Sequence, residues 1–281
     1  MTDYLKPASL EDAYAARAAH PDYVLLAGGT DYMVGVLHRP APAGVIDLFG
    51  LEGLCGIEAS SARIRVGSAT TYAEVLAHEA LTSAFPSLRT CVSEIGATQI
   101  QARGTLGGNI GTSSPVGDTL PVLLATNAVL ELGSSRGVRR VPYAEFCTGY
   151  RQTVMAADEL ILAIELPLPA PEVQFWRKVG TRKAQAISKV MVAASATRTG
   201  ETLTQVRLAM GAVADRPIRL RAVEALIEGQ VPSAELAERV RLAVADAITP
   251  ISDIRSTAPY RLRAAQNLAA RFVLQQVGAP A

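Results

Sequence analysis

Two glycine-rich turns contain the residues of this chain whose types and spacing could bind an anion. Residues 26–31 read Leu-Ala-Gly-Gly-Thr-Asp, and residues 104–109 read Gly-Thr-Leu-Gly-Gly-Asn. Adjacent glycines lack the Cβ atoms that hold a ligand away from the backbone, and they adopt positive φ, so consecutive N–H groups can converge on one anion. We therefore interpret the turns as two halves of a diphosphate clamp, with the amides of residues 28–31 and 105–108 as donors.

Other kinds of site are not indicated by the residue patterns. A dinucleotide site of the Rossmann type needs G-x-G-x-x-G and a P-loop needs Gly-Lys-Ser/Thr, and the sequence has neither. His20, His38 and His78 each lack neighbouring residues that could act with them in catalysis or metal binding. The sequence also shows no recognisable Ser-His-Asp or paired-carboxylate arrangement. Hydrolysis and a metal site are therefore not expected.

Composition excludes several classes of partner. Lysine and arginine number 27 against 26 aspartate and glutamate, so no net field would attract nucleic acid or an anionic membrane. No signal peptide or apolar run long enough for a membrane helix is evident, which predicts a cytoplasmic protein. The three scattered cysteines Cys55, Cys91 and Cys147 predict free buried thiols and are too few for an iron–sulfur cluster, which takes four.

The elements that must position the turns can be predicted from apolar periodicity. Ser9 caps a helix that ends near His20, and short strands at 23–26 and 45–48 flank the first turn. A strand at 63–67, helices at 72–81 and 87–95, and strands at 129–132 and 160–166 surround the second turn. The proline-rich segment 167–171 predicts a linker.

Beyond the linker, three sheet segments are predicted at 175–179, 188–197 and 204–213, the middle one alanine-rich and open to a helical start. Helices follow at 220–228, 233–248 and 260–277. This order indicates an α+β protein with a cofactor domain over residues 1–170, divided into lobes of about 1–56 and 57–170, and a carboxy-terminal domain over 171–281.

The second turn continues as Ile-Gly-Thr-Ser-Ser-Pro-Val-Gly-Asp-Thr-Leu-Pro through Pro121. This segment resembles the flavoprotein subunit of molybdenum hydroxylases. This is the xanthine dehydrogenase and carbon monoxide dehydrogenase family. The resemblance extends to the Ala-Gly-Gly-Thr-Asp turn, Gly149-Tyr150-Arg151, Asp-Glu-Leu-Ile at 158–161, Lys-Val-Gly-Thr-Arg at 178–182 and the tail at 253–261. The resemblance implies a two-lobed FAD-binding domain of the vanillyl-alcohol-oxidase (PCMH) type and a carboxy-terminal three-stranded antiparallel sheet with helices.

The resemblance also implies which residues contact FAD. Ile161 takes the position that packs on the isoalloxazine ring, Tyr150 lies near the flavin and the entry of the electron acceptor, and Lys178 places a cation near the flavin. Asp118 matches a carboxylate that binds an FAD hydroxyl. The remaining expected cofactor-binding residues are Ala27, Gly28, Gly29, Thr30, Asp31, Thr105, Gly107, Gly108, Asn109, Thr112 and Ser114.

The activity that the resemblance implies is electron transfer from a small [2Fe-2S] subunit through FAD to an acceptor. A large molybdopterin-binding subunit would oxidise the substrate, commonly in a dimer of heterotrimers. The segment 149–153 is most similar to the xanthine dehydrogenase branch, which favours purines or other N-heterocycles, while carbon monoxide, nicotinate, aldehydes and aryl thioesters stay open as substrates. Gln185 and Ala186 stand where some NAD-reducing relatives carry acidic residues, so NAD as acceptor stays open.

Two functions of other classes stay open. A self-contained FAD oxidase of the same fold superfamily needs a substrate domain with its own acid and base groups, for which the carboxy-terminal part is short and poor in His and Tyr. A flavin-free scaffold subunit would keep the apolar elements, but it would have no use for two glycine turns.

Overall fold

The computed structural model describes residues 2–279. Its first sheet is small and parallel, with strand order β1-β3-β2. Ser9 caps the first helix as predicted, because its hydroxyl accepts from the Asp12 N–H at 3.0 Å. The elements of this part are β1 (Asp3–Leu5), α1 (Leu10–Ala19), β2 (Val24–Leu26), a 3₁₀ helix (Tyr32–His38) and β3 (Gly44–Asp47).

The second sheet is antiparallel and has the order β4-β5-β10-β6-β7. Its strands are β4 (Ile57–Ala59), β5 (Arg63–Gly67), β6 (Val129–Ser134), β7 (Gly137–Pro142) and β10 (Leu160–Pro167), and a separate ribbon pairs β8 (Cys147–Gly149) with β9 (Gln152–Thr153). A short 3₁₀ helix (Glu52–Leu54) precedes β4.

Seven helices lie along the chain between β5 and β8: α2 (Tyr72–Ala77), α3 (Glu79–Ala84), α4 (Pro86–Ser93), α5 (Thr98–Gln101), α6 (Leu106–Thr112), α7 (Leu120–Ala125) and α8 (Tyr143–Phe146). The single helix predicted over 72–81 is wrong, since the chain turns at His78. That residue leaves helical geometry with ψ 101°, and its ring Nδ1 accepts from the Leu81 N–H to start α3.

The third sheet confirms the three predicted antiparallel strands, β11 (Val173–Val179), β12 (Val190–Thr199) and β13 (Thr202–Gly211), and adds a two-residue β14 (Ile218–Arg219). The alanine-rich middle segment is strand throughout. Three helices follow, α9 (Arg221–Ile227), α10 (Ala234–Ala247) and α11 (Ala258–Leu274). The last starts two residues before its predicted position, because Thr257 caps it through the Tyr260 N–H.

The two faces of this third sheet pack against different partners. Trp176, Ala193 and Ala209 stand opposite one another across β11, β12 and β13 and join the core of the second sheet. Residues of the opposite alternation, such as Val192 and Leu208, pack with the last three helices. The small side chains of Ala193 on β12 and Ala209 on β13 pack in the amino-terminal core, and Lys178 of β11 lines the cleft described below.

Among residues 2–279, no helix is long and apolar enough to span a bilayer.

Candidate functional site

A cleft of about 1110 Å³ runs between the first two sheets and the edge of the third. It lies slightly above the ~300–1,000 Å³ range of small-molecule sites, which suits a large ligand such as a dinucleotide. All but one of the residues predicted to bind FAD line it: Ala27, Gly28, Gly29, Thr30, Asp31, Thr105, Gly107, Gly108, Asn109, Thr112, Ser114, Asp118, Ile161 and Lys178.

Tyr150 is the exception. Its side chain is 64% exposed and does not line the cleft. The next residue, Arg151, does line it, from a left-handed conformation with φ 53° in the turn between β8 and β9. The structure therefore brings the position after the predicted one to the cleft.

The two glycine turns touch each other. A Cβ added to Gly28 would lie 1.8 Å from the carbonyl oxygen of Arg103, which immediately precedes the second turn. A second link joins the turns further along, since the Thr112 hydroxyl lies 3.5 Å from the Asp31 carboxylate. Only glycine allows this approach, and it places both turns on one side of the cleft.

The first turn presents unused backbone donors. The N–H groups of Gly28, Gly29, Thr30 and Asp31 find no acceptor within residues 2–279, and all four residues line the cleft. Gly29 has φ +74°, the left-handed conformation that turns successive amides toward one side. Four adjacent free amides beside a left-handed residue are the arrangement typical of an anion-binding nest, which is the role that we predict for this half of the clamp.

The amides of Leu106, Gly107 and Gly108 in the second turn are already paired within the protein, so the predicted clamp is wrong for these three, whereas the Thr105 N–H finds no acceptor within residues 2–279. The Leu106 N–H donates to the Thr70 carbonyl, the Gly107 N–H to the Ser68 carbonyl at 2.9 Å, and the Gly108 N–H to the Thr105 hydroxyl at 3.0 Å. Helix α6 thus has its first amides satisfied by the segment after β5. A Cβ at Gly107 would lie 2.5 Å from the Ser68 carbonyl, so this glycine serves close packing.

The second segment contributes side chains instead. The Thr119 hydroxyl donates to Oδ1 of Asn109 at 2.6 Å, which fixes the amide orientation and leaves the Asn109 NH₂ group for the cleft. The hydroxyls of Thr112 and Ser114 line the same side. Polar donors on this segment therefore face the amide nest.

A buried ion pair forms the far wall. The Lys178 ammonium on β11 donates to Oδ2 of Asp118 at 2.5 Å, and the Ser188 hydroxyl donates to Oδ1 at 2.5 Å. Burial raises the pKa of the Asp118 carboxyl above its usual value, and the charge and hydrogen bond of Lys178 and the bond from Ser188 oppose that rise. Lys178 therefore lies in the cleft and is paired there with Asp118, which is also among the predicted residues.

Ile161 forms an apolar part of the wall. It is 9% exposed and lies at a β-bulge of β10, where the pairing with β6 shifts register. Gly111 of α6 faces it, and a Cβ there would lie 3.7 Å from Cδ1 of Ile161. A flat ring can approach the wall at this point because Gly111 has no side chain.

The charge of the cleft favours an anion. Its lining includes five basic side chains, those of Arg17, Arg39, Arg151, Lys178 and Arg255, against the two carboxylates of Asp31 and Asp118. None of the four arginines was predicted as a cofactor-binding residue; Arg151 and Arg255 lie in segments that carry the family resemblance, whereas Arg17 and Arg39 follow no motif. Tyr72 and Ser188 were missed for the same reason.

These features fit FAD. The glycine approach and the free amides suit a diphosphate, the basic lining suits its charge, and Ile161 beside Gly111 offers an apolar surface to an aromatic ring system.

Comparisons with known proteins point to the same cofactor. Residues 1–169 match the model of the FAD binding domain in molybdopterin dehydrogenase, and residues 176–276 match that of the CO dehydrogenase flavoprotein C-terminal domain. The chain is 30% identical to the xanthine dehydrogenase FAD-binding subunit of Escherichia coli O157:H7, over 98% of this chain and 96% of that one.

It is also 30% identical to the nicotine 6-hydroxylase medium subunit of Paenarthrobacter nicotinovorans, over 97% of this chain and 96% of that one. Its structure is similar to a chain of quinoline 2-oxidoreductase from Pseudomonas putida 86, with a TM-score of 0.91, 25% identity, and coverage of 98% of this chain and 96% of that one. The chain belongs to the family of FAD-binding subunits of molybdopterin dehydrogenases, which are oxidoreductases.

Proposed function

We propose that this chain is a cytoplasmic electron-transfer subunit whose FAD accepts electrons from a [2Fe-2S] partner subunit and delivers them to an acceptor. The observation that carries the proposal is the nest of four free amides at residues 28–31, which faces a basic cleft of dinucleotide size. Such a nest has no purpose in a scaffold subunit without flavin.

The residues of the chain have separable tasks in this proposal. The amides of residues 28–31 hold the diphosphate, while Asn109, Thr112 and Ser114 donate to neighbouring oxygens of the cofactor. Ile161 supports the flavin ring, and the Lys178–Asp118 pair places compensated charge at the wall. Bound FAD supplies the one- and two-electron redox chemistry that the side chains of this chain lack.

The partner subunits follow from what the chain does not carry itself. Cys55, Cys91 and Cys147 are free thiols, and residues 2–279 contain no group of three metal-ligating side chains. A small [2Fe-2S] subunit and a large molybdopterin-binding subunit would complete the enzyme, in a heterotrimer that pairs into a dimer. The medium-subunit name of the nicotine 6-hydroxylase relative supports such an assembly.

The substrate class that we propose is the purines and other N-heterocycles, oxidised on the large subunit. The names of the relatives described above, which refer to xanthine, nicotine and quinoline, support this class. For the acceptor we propose NAD or another carrier entering where Arg151 and Arg255 line the cleft, since their charges suit an anionic molecule.

Purification of the chain with its native partners tests the proposal. We expect FAD, iron and molybdenum to copurify in fixed ratio, and we expect the isolated chain to be yellow, bleached by dithionite and inert toward purines and N-heterocycles. A chain that oxidises such a substrate by itself would instead be a self-contained FAD oxidase. A complex with no flavin would identify a scaffold subunit.

A further inference from the structure

Tyr72 is a buried tyrosine on the lining of the cleft that the assignments above leave without a role. It is the first residue of α2 and is 4% exposed. Its N–H donates to the Gly104 carbonyl at 2.9 Å, and a Cβ added to Gly104 would lie 2.8 Å from Cε2 of the ring. Backbone and ring are therefore both fixed against the start of the second glycine turn.

The hydroxyl of Tyr72 has no hydrogen-bond partner within residues 2–279, although the ring is buried. Its oxygen is not among the fully buried unpaired atoms of the described residues, so it keeps a surface open to the cleft that Tyr72 lines. The hydroxyl of Tyr143 is instead paired inside the protein, since that residue is 1% exposed and its hydroxyl contacts Sγ of Cys147 at 3.5 Å. Phenylalanine at position 72 would fill the same space without an unpaired polar group.

The surroundings make this hydroxyl a donor. Burial raises the pKa of Tyr72 well above its usual value, and the ionisable groups of Cys91, Asp118 and Asp31 raise it further. The proton therefore stays on the oxygen. Tyr72, Asp31 and Asp118 all line the same cleft.

We propose that Tyr72 is a cofactor-binding residue whose hydroxyl donates a hydrogen bond to an oxygen of bound FAD. The free protein leaves this donor unpaired, and the ligand supplies the acceptor. This inference rests on the proposed function, because it needs FAD in the cleft. It adds a side-chain donor on the floor of the cleft to the amides and hydroxyls of the two glycine turns.

The test compares Tyr72→Phe with the matched control Tyr143→Phe in the full chain freed of FAD. Two quantities are measured, the melting temperature of the apoprotein and the Kd for added FAD from quenching of flavin fluorescence. For Tyr72→Phe we expect an apoprotein at least as stable as the wild type and a Kd about tenfold higher, the effect of losing one hydrogen bond to a ligand. For Tyr143→Phe we expect an unchanged Kd.

The outcomes separate this inference from the proposed function. An unchanged Kd in Tyr72→Phe, with FAD still bound tightly by the wild type, overturns the role of Tyr72 alone. A less stable or unfolded Tyr72→Phe apoprotein also overturns it, because the hydroxyl would then have a structural partner. Failure of the wild-type apoprotein to bind FAD overturns the proposed function as well.

Discussion

The buried pair of Lys178 and Asp118 gives a prediction whose sign and size follow from its geometry. The Lys178 side chain is 2% exposed and its ammonium lies 2.5 Å from the carboxylate. In Lys178→Met, Asp118 keeps only the hydrogen bond from Ser188 and loses the strongest cause that opposes the effect of burial on its pKa. Removing one partner of a buried pair costs about 3–5 kcal/mol of unfolding free energy.

The cost must depend on pH. Burial already holds the folded-state pKa of Asp118 above the usual 3.8, and the substitution raises it further. A carboxyl whose pKa is higher in the folded than in the unfolded state loses stability as the pH rises. Because wild type and variant share the unfolded-state pKa, the deficit of Lys178→Met appears above the folded-state pKa of Asp118 in the wild type and is complete above its higher value in the variant. One unit of added pKa accounts for about 1.4 kcal/mol, so a loss of ~3 kcal/mol needs a rise of roughly two units.

Urea unfolding of the apoprotein, followed by tryptophan fluorescence, measures this deficit. Trp176 is the one tryptophan of the chain, is buried, and lies on the same strand two residues before Lys178. The double variant Lys178→Met/Asp118→Asn serves as control, since it removes both charges and should recover most of the lost stability. A deficit that is equal at acidic and alkaline pH, or equally large in the double variant, would refute the reasoning.

Three glycine substitutions probe other parts of the site, and a fourth substitution, at Asp253, probes stability in acid. Gly111→Ala should stabilise the apoprotein by up to ~1 kcal/mol, because alanine has the higher helix propensity. The same substitution should weaken FAD binding, because the methyl enters the cleft near Ile161. Unchanged FAD affinity in a titration would contradict this prediction. Gly107→Ala should prevent folding, because the added methyl would collide with the Ser68 carbonyl. Gly29→Ala should fold, with a loss of roughly 1–2 kcal/mol of unfolding free energy because of its positive φ. Circular dichroism of the two purified variants distinguishes these outcomes. Burial raises the pKa of Asp253, but hydrogen bonds from the Arg255 and Ser256 N–H groups and from the Arg261 guanidinium outweigh burial and lower the pKa to about 2. The stability that the ionised Asp253 contributes is fully present above pH 3.8 and is lost as the pH falls through about 2. The unfolding free energies of wild type and Asp253→Asn, measured against pH, should therefore converge near pH 2. Parallel curves would contradict this prediction.

Local signals were sufficient to predict much of the fold. Ser9 caps α1 as its sequence context indicates, and apolar alternation located β11 and β13. The strand β7 was missed because its residues are mostly exposed and charged, without the alternation of a half-buried strand. Helix α7 was missed because it is buried all round and shows no amphipathic period.

Some features of the site could likewise be predicted from local sequence signals, and others could not. Glycine pairs identified both turns, because positive φ at Gly29 and close approach at Gly28 demand that residue type. The sequence could not show that the amides of Gly107 and Gly108 are already occupied, since their acceptors come from Ser68 and from the cap of α6. Tyr72 was likewise hidden, because an unpaired hydroxyl is visible only once its surroundings are known.

A crystal structure of the chain with FAD tests the central claim most directly. If the first turn binds the diphosphate, we expect its oxygens to lie about 3 Å from the amide nitrogens of residues 28–31, the usual hydrogen-bond distance. A diphosphate held elsewhere in the protein, with those four amides left facing solvent, would contradict it.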